Sequence, residues 1–264
     1  MGTFDNITLA SREYEFNSPS IEPLEIDEDP SGLLRGGVGS TIWDAAIVLA
    51  KYFERSNTLA SRTPSGIAEH TLHVLELGSG TGIVGLAVAR MLSAKGVKAK
   101  VFLTDKENCM PLLQRNIGKN PSKGVDVIAQ MLDWETVSGA KAKSDDASGT
   151  DFDATATQEP ASSEEVSNKS SHRLESVRWD IVILSDCIWV TALYPPLIDT
   201  LNNLIRSSDS GTQLVIAYEK RNFAEEMEFF AMLGKTFRFK DVKPEEQDPN
   251  YQSEDIYLFL CQHQ

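Results

Sequence analysis

The chain has 264 residues, of which 41% are hydrophobic, and it carries a formal net charge of −14. This length and apolar content allow one domain with a sizeable buried core. The negative charge disfavours binding to the phosphate backbones of nucleic acids, although half of it lies in the segment 144–165, which has seven acidic residues and no basic one. Because no apolar run approaches the ~20 residues that cross a bilayer, we expect no membrane partner either.

The cysteine and histidine content limits the redox and metal chemistry that the chain can support. Cys109, Cys187 and Cys261 are widely separated and odd in number, so they form neither a CxxC pair nor a disulfide framework. The four histidines do not stand near acids or cysteines at metal-ligand spacing. The first residues, MGTFDNITLASREYEF, lack the basic start and apolar core of a signal peptide. We therefore expect a reducing, cytoplasmic compartment and no bound metal. We also expect a monomer.

The first predicted element is an amphipathic helix that follows a glycine-rich loop. In the segment GGVGSTIWDAAIVLAKYFE, apolar residues recur at helical spacing from Trp43 to Ala50. Ser40 or Thr41 is the candidate N-cap of this helix. Residues 1–35, which precede the loop, are interpreted as an N-terminal extension.

Strands and helices alternate from residue 72 onward. Strands are predicted at 72–77, 99–104, 125–129, 180–185 and 212–218, and helices at 81–93, 107–117, 196–206 and 224–233. Two final strands, 236–242 and 255–261, have no helix between them and can pair antiparallel. The pattern predicts an open, mostly parallel, doubly wound α/β sheet, whose ligands bind outside the carboxyl ends of the strands.

A low-complexity segment interrupts this alternation at about 138–176. It is rich in Ser, Ala, Thr and Asp and has hardly any large apolar residue, so it cannot bury enough surface to order itself. We interpret it as a disordered acidic insertion on the surface of a single domain that spans residues 36–264.

The run HVLELGSGTGIVGL, residues 73–86, indicates a site where a ligand approaches the backbone closely. It has no lysine after its glycines, which excludes a nucleotide-binding P-loop. Residues 80–85 satisfy the dinucleotide pattern GxGxxG, but the glycine that directly follows the strand is Gly78, and the third position counted from it is Ile83. Glu76 at the strand end can receive a cationic group, and the alternative is that it pairs with a helix N-terminus. S-adenosylmethionine, which carries an ammonium and a sulfonium but no pyrophosphate, fits this turn better than a dinucleotide.

Five segments extend this interpretation to a family. They are VLELGSGTGIVGL, the preceding IWDAAIVLAKYFE, and then LTDKE, LDWE and SDCIW with LYPPLIDTL. The first resembles motif I of the class I methyltransferases, and the set resembles the methyltransferase-16 family of protein-lysine methyltransferases over roughly residues 36–260 without the insertion. The resemblance implies a Rossmann-like, seven-stranded sheet with an antiparallel last strand, S-adenosyl-L-methionine as the cofactor and a lysine as the acceptor. Its nearest members modify translation elongation factor 1-alpha, chaperones and related ATPases.

The resemblance also implies a set of cofactor contacts. It places Trp43, Gly78, Ser79 and Gly80 against the cofactor, Asp105 on the ribose hydroxyls, Trp134 beside the adenine, and Ser185 at the end of the fourth strand. Asp133 is an alternative acceptor for the adenine amino group. The structural alternatives are a turn residue for Asp105 and core positions for the two tryptophans.

On the acceptor side, the family carries an acidic residue, two variable positions and an aromatic residue that is usually Tyr or Phe. This chain has Asp186 and Trp189 there. Asp186 is expected to orient the lysine and to relay a proton through water, or alternatively to cap the following helix. Trp189 offers a π-face to an ammonium but lacks a phenolic hydroxyl. In the YEKR run after the fifth strand, Glu219 and Arg221 either contact substrate or pair with each other.

The sequence therefore predicts an S-adenosylmethionine-dependent protein-lysine N-methyltransferase, with translation elongation factor 1-alpha as the leading substrate. Two other functions stay open at this point. One is a methyltransferase for a small molecule or a nucleic acid, which the fold allows. The other is a catalytically silent scaffold that binds the cofactor.

Overall fold

A computed structural model describes residues 9–62, 70–136, 174–206 and 211–264 of the chain. Within these residues, strands β1 to β9 span Ala10–Tyr14, Leu24–Glu28, Leu72–Leu77, Ala99–Asp105, Val125–Met131, Ile181–Ser185, Gln213–Glu219, Phe237–Asp241 and Ile256–His263. The helices whose bounds lie within them, α1 to α5, span Asp44–Arg55, Ile83–Ala94, Met110–Lys119, Tyr194–Leu204 and Phe223–Leu233.

Seven of the strands form one sheet in the order β5-β4-β3-β6-β7-β9-β8. Strands β3 to β7 pair parallel with one another, whereas β9 runs antiparallel to both β7 and β8. The strand order reverses at β3, which has β4 on one side and β6 on the other. The predicted Rossmann-like, doubly wound and mostly parallel sheet with an antiparallel last strand is confirmed.

Alternate residues of the central strands pack against the two faces of the sheet. In β6, Ile181 and Ile183 join the cluster that contains the apolar residues of α1 and α2, while Val182 and Leu184 join the cluster of α4 and α5. Because both faces are covered, the strand is an uninterrupted apolar run in the sequence. Each such side chain contributes about 1.5–3 kcal/mol when it is fully buried.

The predicted acidic insertion falls almost entirely outside the described residues. Leu174, near the end of the predicted insertion, has a fully buried side chain that packs in the cluster of α4 and α5. In the ranges of the chain that the structure covers, no helix is long and apolar enough to span a bilayer.

Strands β1 and β2 form an antiparallel hairpin that the local sequence pattern does not predict. Leu24 and Ile26 of β2 are fully buried in the core. The carboxylate of Asp27 accepts a hydrogen bond from Nε of Arg115 in α3 at 2.6 Å. The described part of the N-terminal extension is therefore built into the domain.

A buried lysine ties this hairpin to α1. Lys51 is 2% exposed, and its ammonium lies 2.8 Å from Oε1 of Glu54 and 4.5 Å from the ring centroid of Tyr14. The Tyr14 hydroxyl donates to the same Glu54 oxygen at 2.6 Å. The cluster brings a cation, a carboxylate and a phenol into one largely buried contact.

We predict that Lys51→Ala lowers the free energy of unfolding by about 3–5 kcal/mol, because it leaves the buried Glu54 carboxylate without its cation. Denaturant unfolding followed by circular dichroism measures this loss. Lys98→Ala, which removes an exposed lysine, is the matched control and should change the free energy by less than about 0.5 kcal/mol. Equal losses of unfolding free energy in the two variants would show that the ion pair between Lys51 and Glu54 does not stabilise the fold.

Candidate cofactor and acceptor site

A cavity of about 360 Å³ opens at the carboxyl ends of β3, β4 and β6. This volume lies within the range of about 300–1,000 Å³ that small-molecule sites occupy. The cavity lies where the strand order reverses, which is where ligands bind in doubly wound sheets. It is lined by residues 36–39 before α1, by the turn after β3, and by the loops that follow β4, β5 and β6.

The cavity brings together ten of the eleven residues that the sequence singled out. They are Trp43, Glu76, Gly78, Ser79, Gly80, Asp105, Trp134, Ser185, Asp186 and Trp189. Asp133 does not line it, because its Oδ1 accepts from the backbone N–H of Glu135 at 3.0 Å and faces Nζ of Lys106 at 3.9 Å. The structure therefore gives Asp133 a local turn contact instead of a place in the cavity.

Several lining residues were not identified from the sequence. They include Val38, Gly39, Asn108, Cys109, Cys187 and Leu193. Each lies within a few residues of a predicted site residue. Treating each loop at a strand end as a whole segment of the site would therefore have identified them.

The glycine turn after β3 fixes the shape of the cavity floor. Gly78 and Gly80 have φ values of 64° and 53°, which lie in the left-handed region that favours glycine. A Cβ on Gly80 would lie 2.9 Å from the carbonyl oxygen of Gly39, so the two glycine-rich loops are in direct backbone contact. The backbone N–H of Gly80 donates to Oδ2 of Asp105 at 2.7 Å, which ties the turn to the end of β4.

Two carboxyl groups, the buried one of Glu76 and the half-buried one of Asp105, give the cavity its polarity. Burial raises the pKa of Asp105, although its oxygens accept from the N–H groups of Gly80 and Lys106. Glu76 is 1% exposed, and burial raises its pKa to about 8. Its Oε2 accepts from the N–H of Gly85 in the first turn of α2 at 3.0 Å. Glu76 thus pairs with a helix N-terminus, which was the structural alternative to binding a cationic group. It also lines the cavity.

The residues of the cavity fit S-adenosylmethionine by their chemistry. Glu76 and Asp105 supply carboxyl groups for an ammonium and for hydroxyls. The ring of Trp134 lies about 3.4 Å from the Cβ that Gly78 lacks, so a flat apolar face adjoins the glycine turn. The Ser185 hydroxyl is buried at the cavity wall and has no hydrogen-bond partner among the described residues, which is rare unless a ligand or a water completes the site.

The acceptor-side acid is held by β7 and not by the following helix. Asp186 has φ of 54°, and its backbone N–H donates to the carbonyl oxygen of Ala217 at 2.8 Å. Its carboxylate accepts two hydrogen bonds from the guanidinium of Arg221, at 2.8 and 2.7 Å. The backbone N–H of Glu219 is a third donor at 3.2 Å. The alternative of a helix cap is therefore not observed.

The rim of the cavity carries two exposed tryptophans. Trp189 is 48% exposed and Trp43 is 42% exposed, and both line the cavity. The Trp43 indole N–H donates to the carbonyl oxygen of Val38 at 3.0 Å, which fixes its ring at the start of α1. An apolar surface thus surrounds the entrance beside Asp186.

Within the described ranges of the chain, no group of three or more His, Cys, Asp or Glu residues is arranged to hold a metal ion.

Residues 21–147 and 161–236 of the chain match the family described as Lysine methyltransferase. Protein-lysine N-methyltransferase EFM6 of Saccharomyces cerevisiae is 28% identical over 256 residues, which are 95% of this chain and 90% of that protein. Protein N-lysine methyltransferase METTL21A of Xenopus tropicalis is 26% identical over 242 residues, covering 90% of this chain and 83% of that protein. EEF1A lysine methyltransferase 3 of Xenopus tropicalis is 32% identical over 98 residues, which are 37% of each chain.

The family match covers well over half of the chain and includes the glycine turn, Asp105, Trp134 and the loop after β6. It confirms the resemblance seen in the five sequence segments. The chain therefore belongs to the lysine methyltransferase family and is a methyltransferase that uses S-adenosylmethionine.

Proposed function

We propose that the chain methylates a lysine of translation elongation factor 1-alpha in the cytoplasm. The observation that carries the acceptor assignment is the place of Asp186 and Trp189, which both line the cofactor cavity. The name of the Xenopus EEF1A lysine methyltransferase 3 supports the choice of protein substrate. The three free cysteines are buried and favour a reducing compartment.

Bound S-adenosylmethionine supplies a methyl group that its sulfonium already activates for an in-line displacement. The chain contributes mainly proximity and orientation, which together account for several kcal/mol of the barrier. The residues that would hold the cofactor are the turn of Gly78 to Gly80, Asp105 and Trp134. The acceptor lysine would then enter on the side of the cavity that is lined by Asp186 and Trp189.

The acceptor lysine must lose its proton before it attacks the methyl group. Holding it neutral near pH 7, against a usual pKa of about 10.4, costs roughly 4–5 kcal/mol. Both oxygens of Asp186 accept from the Arg221 guanidinium, so this carboxylate is already engaged in an ion pair. In this proposal Asp186 orients the amine, Trp189 presents its indole face to it, and the proton leaves to water.

The experiment that tests the proposal combines the purified chain, methyl-labelled S-adenosylmethionine and elongation factor 1-alpha from cells that lack this enzyme. We expect methyl-lysine on the factor, with a loss of about 10²-fold or more in rate for Asp186→Ala, since misplaced acceptors cost this much. Asp126→Ala removes an exposed acid of β5 away from the cavity and serves as the control.

Three outcomes of this experiment would contradict the proposal in different ways. Label in another protein would replace the substrate but keep the reaction. Label in nucleic acid or small metabolites would overturn the protein-lysine assignment. Bound cofactor without any transfer by the wild-type chain would indicate a scaffold.

Glu76 generates a second prediction, on the pH dependence of cofactor affinity. In the free protein its pKa is raised to about 8 by burial, so the group is mostly protonated at pH 7. A bound cation favours the carboxylate and lowers this pKa, so binding releases a proton. The affinity for the cofactor should therefore rise as the pH increases from about 6 to about 8, by up to about tenfold per pH unit.

Calorimetric titration of the wild-type chain and of Glu76→Gln with the cofactor measures this effect. The cofactor's own α-amino group titrates in the same region, with a pKa near 7.7–8.0. Because both proteins share that contribution, the difference between their pH profiles isolates Glu76. Parallel profiles would show that Glu76 stays protonated beside the cofactor.

A further inference from the structure

Arg221 contacts two residues that line the cavity, the acceptor-side acid Asp186 and Trp43. Its guanidinium donates to both oxygens of Asp186 and to Oε2 of Glu219, the last at 2.8 Å. The same guanidinium lies 5.7 Å from the ring centroid of Trp43. Its backbone N–H donates to the buried carboxylate of Glu226 in α5, which fixes the loop that carries it.

The geometry and burial of the Asp186–Arg221 ion pair prevent a lysine ammonium from displacing Arg221. The side chain of Asp186 is 5% exposed, and that of Arg221 is 37% exposed. A planar guanidinium matches a carboxylate through two parallel hydrogen bonds, which a more strongly hydrated ammonium cannot reproduce. Its hydrogen bond to Asp186 raises the pKa of Arg221, so the cation persists at every pH of interest. We therefore expect the pair to stay intact when an acceptor enters.

The charge of the pair matters for the acceptor nitrogen. A lone carboxylate within about 4–6 Å of an amine favours the ammonium form and raises the pKa of the amine by about 1–3 units. An ammonium has no lone pair with which to attack a methyl group. An unpaired Asp186 would therefore orient the lysine and at the same time hold it in the unreactive form.

The other titratable groups around Asp186 are mainly acidic. Glu76 of β3 and Asp105 of β4 act on the neighbouring Cys187, whose pKa burial raises. Glu219 ends β7, and Glu226 lies in α5. Lys106 also lines the cavity, but its ammonium donates to Glu135 at 2.9 Å. Arg221 is thus the cation that contacts Asp186 among the residues that the structure describes.

We propose that Arg221 is a positioning residue that fixes the Asp186 carboxylate and offsets its negative charge, so that the acceptor lysine is oriented with less bias toward its protonated form. The inference rests on the proposed lysine methylation. It assigns Asp186 a geometric role and makes Arg221 the residue that keeps the acceptor amine reactive near neutral pH.

The decisive measurement is the pH dependence of kcat for the wild-type chain, Arg221→Gln and Arg221→Lys, with elongation factor 1-alpha at saturation. In Arg221→Gln, the midpoint of the acidic limb should move up by about one to two pH units. The rate should recover toward the wild-type value at high pH. Arg221→Lys, which keeps the charge but not the bidentate geometry, should restore the midpoint better than it restores the rate.

The control variant is Arg238→Gln, which removes an exposed arginine of β8 and should leave the whole profile unchanged. A purely structural role would lower kcat of Arg221→Gln equally at every pH, and an unmoved midpoint would overturn the inference. If the wild-type chain transfers no methyl group to any lysine, the proposed function fails, and this inference falls with it.

A second measurement tests the pair without any acceptor. Arg221→Gln leaves the buried Asp186 carboxylate unpaired, so it should lower the Tm measurably. Adding Asp186→Asn in the same chain should restore much of that loss, because the charge that lacks a partner is gone. If the losses in Tm of the two substitutions simply add in the double variant, Asp186 and Arg221 are not energetically coupled. That result would overturn the proposed role of Arg221.

Discussion

The Asp105 carboxylate is the contact on which the architecture of the site depends. One of its oxygens accepts from Gly80 and the other from Lys106, so the end of β4 and the turn after β3 are held together. Gly80 in turn touches the backbone of Gly39, which brings the loop before α1 onto the same floor. Because a buried carboxyl group is costly unless it is hydrogen-bonded, this arrangement fixes three segments of the cavity relative to one another.

The main sheet could be predicted from the sequence because its strands are buried on both faces and appear as short apolar runs between helical patterns. The hairpin of β1 and β2 could not. Its strands, ASREY and LEIDE, mix apolar and acidic residues. Asp27 and Glu28 in it are buried, and the cationic partners of Asp27 are Arg115 and Lys119, far along the chain. Local patterns do not contain such long-range pairing.

The site was predictable where it depends on strand ends and not where it depends on contacts between strands. Residues that end a strand, such as Asp105 and Ser185, or directly follow one, such as Gly78, line the cavity as expected. Asp133 does not line the cavity, and its carboxylate accepts from the backbone N–H of Glu135. The pairing of Asp186 with Arg221 arises only because β6 and β7 are neighbours, so the YEKR run by itself left its role open.

We expect this cavity to hold the methyl donor beside Asp186, and a crystal structure with S-adenosylhomocysteine bound would check that placement. The ribose should lie at Asp105, the adenine beside Trp134, and the thioether sulfur should face the side of the cavity formed by Asp186 and Trp189. A ligand bound elsewhere, such as in the cleft between Lys51 and Tyr251, or oriented with its sulfur away from Asp186, would contradict it.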